Sequence, residues 1–93
     1  MNLKDYRAQI DAIDMELIEL FARRMEVSAA IAGYKKERGL PVHDPVREQE
    51  KLEELSDRVP DELKEYVAGL YSRIFELSRR RQEFLLREEV EVG

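Results

Sequence analysis

The chain has no cysteine and no tryptophan, and its 93 residues include one histidine, three prolines and four glycines. Each scarcity excludes something. Without cysteine there is neither a disulfide framework nor a thiolate metal site, and a reducing cytoplasm is the expected setting. His43 cannot build a metal site by itself. No apolar run approaches the ~20 residues of a membrane span, and the first six residues lack a signal-peptide core, so no membrane role is expected. Acidic residues outnumber basic ones by 21 to 16, a net charge of −5, so a nucleic-acid partner has no global electrostatic support.

What is abundant is helix-forming: Glu, Leu, Arg, Lys and Ala dominate, with no alternating strand pattern. The expected class is all-α, a single domain over 1–93. A long first helix over 3–37 ends at Arg38-Gly39-Leu40-Pro41, where glycine can turn left-handed and proline cannot continue. After a loop at 40–43, Asp44-Pro45 reads as an N-cap with proline in the first turn, opening a short helix over 45–56. A third helix is expected over 60–87, and the tail over 88–93 is expected to fray.

The first helix carries two apolar registers, Leu3, Ile10, Leu17 and Ile31 in one and Tyr6, Ile13, Leu20, Val27 and Tyr34 in the other. Arg24 occupies the first register where an aliphatic belongs. The flanking register holds Arg7, Asp14, Phe21, Ser28 and Lys35. Three long cations thus face a surface that should be buried, and buried charge is costly unless an anion meets it. Arg24 and Lys35 are ~16 Å apart along the axis, on nearly one face, and can grip one small ligand. Arg7 lies ~25 Å back from Arg24, beyond that ligand but within reach of one held by a second copy. A plainer reading stays open, in which Arg24 sets register and the other two lay their stems on the core.

A helix of ~35 residues is ~50 Å long, whereas a compact chain of this size has a radius of gyration of ~12 Å. Its stripe outruns what the rest of the chain can cover, so an intertwined homodimer of three-helix chains is expected, with Arg7 supplied in trans.

Further along, Asp44, Arg47 and Glu48 fall on adjacent faces of one helical turn. Carboxylates at a helix start also suit the dipole. The acid of a capping box would stand at position 47, which is Arg47, so Glu48 is available to accept from a ligand hydroxyl. In the third helix Ser78 and Gln82 lie one turn apart and can donate into a shared pocket. Arg79, Arg80 and Arg81 read mostly as solvated charge.

Taken together and in order, Arg7, Arg24, Lys35, Asp44-x-x-Arg47-Glu48, Ser78 and Gln82 resemble the site of the all-helical, AroQ-class chorismate mutases, over nearly the whole chain. The resemblance implies an intertwined dimer and the rearrangement of chorismate to prephenate on the route to phenylalanine and tyrosine, without nucleophile, metal, cofactor or general base. It implies that Arg24, with Lys35, binds the enolpyruvyl carboxylate and that Arg7 of the partner chain binds a carboxylate from the far side. Ser78 assists at the ring carboxylate, Glu48 and the backbone near Asp44 read the ring hydroxyl, and Arg47 shapes that end. Lys35 and Gln82 donate to the ether oxygen. An enzyme of the same pathway is a further candidate partner. Two rivals are an isochorismate-pyruvate lyase of the same fold, whose pattern lacks the acid at Glu48, and a non-catalytic helical dimer serving interaction or regulation.

Overall fold

The computed structural model describes residues 1–92, with side chains through Arg87. Three helices follow in order: α1 (Leu3–Arg38), α2 (Pro45–Ser56) and α3 (Asp61–Val92). Local chemistry explains their ends. Asn2 and Asp5 form a capping box, the Asn2 side chain accepting from the Asp5 amide at 3.0 Å and the Asp5 carboxylate from the Asn2 amide at 3.1 Å. That start was written in the sequence as Asn-x-x-Asp. At the other end Gly39 takes φ 64°, the left-handed conformation that glycine adopts without strain, and its amide closes on the Lys35 and Lys36 carbonyls.

The short helix begins as expected: Asp44 accepts from the Arg47 amide at 3.0 Å and Pro45 fills the first turn. α3 starts one residue later than expected, at Asp61, and runs through Val92. The fraying expected over 88–93 concerns residues whose side chains, and at Gly93 the backbone, lie outside the described part.

The chain is elongated, with extents of 58 × 28 × 15 Å and a radius of gyration of 16.8 Å, against ~12 Å for a compact chain of this length. α3 packs against both α1 and α2. The far half of α1 stands clear, and Leu3, Tyr6, Ile10, Ile13, Leu17 and Leu20 are all exposed. Among the described residues the buried set is Ala32, Phe75, Ser28, Ser78 and Gln82, so the centre of the α1–α3 contact is largely polar. No helix in the described part is long and apolar enough to cross a membrane.

Candidate active site

The polar centre is a closed trio. Gln82 Nε2 donates to Ser28 Oγ at 2.9 Å and to Ser78 Oγ at 3.3 Å, and the two hydroxyls bond to each other. Ser28 is 3 % exposed and Gln82 6 %, so the interaction is worth more than on a surface and costs more to break. One lone polar atom remains: Gln82 Oε1 is buried with no hydrogen-bond partner among the described residues. A buried orphan acceptor costs stability, which points to a ligand site rather than a structural core. Removing the Ser28 hydroxyl strands the Gln82 amide further, so Ser28→Ala is expected to lower stability by about 1 kcal/mol. Urea unfolding measures this, and an unchanged midpoint would mean that the trio does not act as a unit.

The cations of α1 lie beside this centre. Arg24 is half-buried, its guanidinium carbon 5.8 Å from the Phe75 ring centroid, so the ring holds a charge that finds no carboxylate among the described residues. Eleven residues on, Lys35 Nζ donates to the Val42 carbonyl at 2.8 Å and ties the end of α1 to the loop before α2. An ammonium has three donors, so two are left for a ligand.

Across from these, Glu48 sits on the first turn of α2, partly buried. Arg79 Nη1 donates to both of its oxygens at 2.6 Å, and His43 Nε2 is 3.8 Å from Oε1. The reading of the 79–81 run as mostly solvated charge holds at two of its three positions. Arg80 and Arg81 are exposed as expected, but Arg79 turns back toward α2.

One cavity of about 210 Å³ joins these groups, and Arg24, Lys35, Asp44, Arg47, Glu48, Ser78 and Gln82 all line it. It falls below the ~300–1,000 Å³ of sites for drug-sized ligands, so it suits a small metabolite. Seven of the eight residues singled out from sequence are therefore brought together. The eighth, Arg7, is exposed on the free half of α1, well away along the helix axis. Sequence reasoning missed Lys51, Phe75 and Arg79 in the lining, Phe75 having been noted only as core, and it noted Ser28 only as part of a stripe, although Ser28 bonds to the lining residues Ser78 and Gln82. For Ser28 a signal existed, since a small hydroxyl residue one turn beyond Arg24 interrupts an otherwise long or apolar face.

Such an arrangement defines a class: an all-helical protein whose three helices converge on a small pocket, with cations from α1, a carboxylate from α2 and neutral hydrogen-bonding groups from α3. Residues 6–83 match the family model of chorismate mutase type II, and the chain belongs to that family. It is similar to the T-protein of Haemophilus influenzae, 35 % identical over a match covering 75 % of this chain and 21 % of that protein. The chain thus spans about a fifth of that relative's length. It is also 35 % identical to the chorismate mutase of Methanocaldococcus jannaschii, over 52 % of this chain and 48 % of that protein. Among solved structures, the chorismate mutase of Helicobacter pylori in complex with prephenate is 42 % identical, with a TM-score of 0.83, covering 92 % of this chain and 94 % of that one.

Proposed function

We propose that this chain is a single chorismate mutase domain, acting in the cytoplasm, that rearranges chorismate to prephenate in aromatic amino acid biosynthesis. The observation that carries the reading is the cavity into which α1 brings Arg24 and Lys35 while α2 and α3 bring Glu48, Ser78 and Gln82. Chorismate is a dianion with a ring hydroxyl and an ether bridge, and this set has a partner for each. Arg24, with Lys35, binds the enolpyruvyl carboxylate, Ser78 assists at the ring carboxylate, and Glu48 beside Asp44 accepts from the hydroxyl. Arg47 closes that end of the pocket.

In the rearrangement the ether C–O bond breaks ahead of formation of the new C–C bond, so negative charge grows on the ether oxygen in the transition state. Fixed donors aimed there bind the transition state better than the substrate. Lys35 and Gln82 fill that role. For Gln82 the amide turns by half a rotation on its serines: the Ser28 hydroxyl then donates to Oε1, which has no partner otherwise among the described residues, Ser78 keeps its proton for the ligand, and Nε2 is released toward the ligand. Clamping both carboxylates folds the flexible enolpyruvyl arm over the ring, which is the entropic part of the catalysis.

The reading includes an intertwined homodimer in which Arg7 of the partner chain completes each site. The exposed apolar stripe of α1 supports it, because few apolar side chains are buried within the chain to offset the entropy of ordering it. Arg7→Ala and Arg24→Ala are each expected to be inactive. Mixed one to one and allowed to exchange, they regain about a quarter of wild-type activity, because a mixed dimer keeps one intact site out of two. Recovery absent despite subunit exchange would remove the shared-site reading. Docking to an enzyme of the same pathway is a further part of the proposal.

The deciding experiment follows the ultraviolet absorbance of the chorismate diene with purified protein, identifies the product, and runs isochorismate alongside. Prephenate formation supports the mutase; pyruvate released from isochorismate instead would move the assignment to the lyase, and no turnover of either would leave an interaction module. Glu48 favours the mutase among these, because the lyase pattern lacks that acid.

A further inference from the structure

We propose that Arg79 is a positioning residue for Glu48, holding its carboxylate in the orientation that receives the substrate's ring hydroxyl. The inference deepens the mutase reading and rests on it. Glu48 projects from the first turn of a short helix, and a glutamate there has three rotatable bonds with nothing on its own turn to fix them. Arg79 supplies the fixture from a different helix. Its Nη1 meets both Glu48 oxygens at the same 2.6 Å, so the carboxylate is held symmetrically across its open end rather than by one corner. Carboxylate oxygens accept more than one hydrogen bond each, so outer lone pairs remain for a ligand.

The neighbouring charges do not substitute for it. His43 Nε2 stands 3.8 Å away, beyond hydrogen-bond distance, and is charged only when protonated. Lys51 lines the pocket one turn further along α2, and no bond joins it to Glu48; its ion-pair partner is Glu54 at 3.6 Å. Arg47 is exposed. Helical geometry explains why Arg79 serves and its two followers do not. Ser78 and Gln82 point toward α1, and a step of about 100° from Ser78 turns Arg79 toward α2, whereas Arg80 and Arg81 rotate out to solvent. One turn of α3 therefore supplies hydrogen-bonding groups to one wall of the cavity and a brace to the opposite wall. Arg79 and Glu48 are 27 % and 24 % exposed, shielded enough for the pair to outlast a surface ion pair.

The ring hydroxyl neither makes nor loses a covalent bond in the rearrangement, so its hydrogen bond is formed already in the substrate complex and is largely kept in the transition state. Loss of positioning therefore appears in KM and leaves kcat nearly unchanged. The test measures kcat and KM on chorismate for wild type, Arg79→Ala, Arg79→Lys, Glu48→Gln and the Arg79→Ala/Glu48→Gln double variant, with melting curves for each. It adds ¹⁵N NMR of the Arg79 guanidinium in wild type and in Glu48→Gln. Expected are a roughly tenfold rise in KM for Arg79→Ala with kcat within about twofold, partial rescue by lysine, and no further loss in the double variant. The Nη signals of Arg79 should be resolved by restricted rotation in wild type and averaged in Glu48→Gln.

Losses that add in the double variant would mean that Arg79 acts independently, by touching substrate or by supporting the fold, and would overturn the proposal. So would averaged Nη signals in wild type, because the pair would then not be held. Wild-type protein that binds and bridges as described but makes no prephenate refutes the mutase reading, and the positioning role falls with it. The NMR result separates these two failures.

Discussion

Replacing Arg24 with leucine is expected to lower kcat/KM for chorismate by about three orders of magnitude while the chain stays folded and melts no lower than wild type. Catalytic sites that lose one well-aimed donor in a shielded pocket typically lose ~10²–10³ in rate, and in the proposed mutase reading Arg24 also grips a carboxylate that a neutral side chain cannot hold. The stability side follows from where the residue sits. Arg24 interrupts the register of Leu3, Ile10, Leu17 and Ile31, and its guanidinium rests on the Phe75 ring with no carboxylate bonded to it among the described residues. Leucine restores the aliphatic register and removes the cost of an unpaired charge near an apolar surface. The combination is diagnostic, because a residue kept for folding loses stability when it is replaced, whereas one kept for a ligand loses only activity. Steady-state kinetics and a circular-dichroism melt on the same preparation measure both. Retained turnover would end the assignment of Arg24 as the carboxylate clamp.

The second large effect is one of pH. Gln82→Glu is nearly isosteric, and it converts a donor that needs no proton into one that does. A glutamic acid donates to the ether oxygen only when neutral; once ionised, it sets a negative charge against the one developing there. Glutamate ionises near pH 4.3 in water, and a site as buried as that of Gln82, 6 % exposed, raises that value by penalising the charge. Activity is therefore present below the raised pKa and is lost as pH rises through it. At pH 7.5 the variant is expected to fall ~10²–10³ below wild type, and then to recover about tenfold per unit as pH drops toward 5 until the acid is protonated. In wild type the amide contributes no such slope. A pH–rate profile of both proteins checks it, and a variant with a flat profile would mean that residue 82 does not face the ether oxygen.

These expectations rest on features that differ in how visible they were before the fold was known. The helix ends were legible. Asp44 before Pro45 and Gly39 after a basic turn act through backbone amides and carbonyls within one turn of themselves, so no distant partner is needed to interpret them. Arg24 was legible for a similar reason, since a charge in an apolar register violates a rule that the register itself establishes. Arg79 was not. In a run of three arginines each faces a different direction, and only the placement of α2 against α3 decides which of them meets a carboxylate. Ser28 was half-legible: the sequence reading placed it on the stripe without singling out its hydroxyl, and its partners lie 50 and 54 residues away in the sequence.

By itself the sequence determined three helices, their limits to within a residue or so at most ends, the cationic stripe on the first, and a family resemblance spanning most of the chain. The helices, their limits and the stripe follow from interactions that span a few residues along the backbone, whose rules are the same in every protein, while the resemblance follows from the order and separations of polar residues along the whole chain. Tertiary structure alone decided that seven scattered polar residues share one cavity, that Ser28, Ser78 and Gln82 close into a buried trio, and that one arginine of three braces Glu48. Those outcomes depend on the angle and depth at which α3 docks on α1 and α2, a packing result that the spacing of residues along any one helix does not contain.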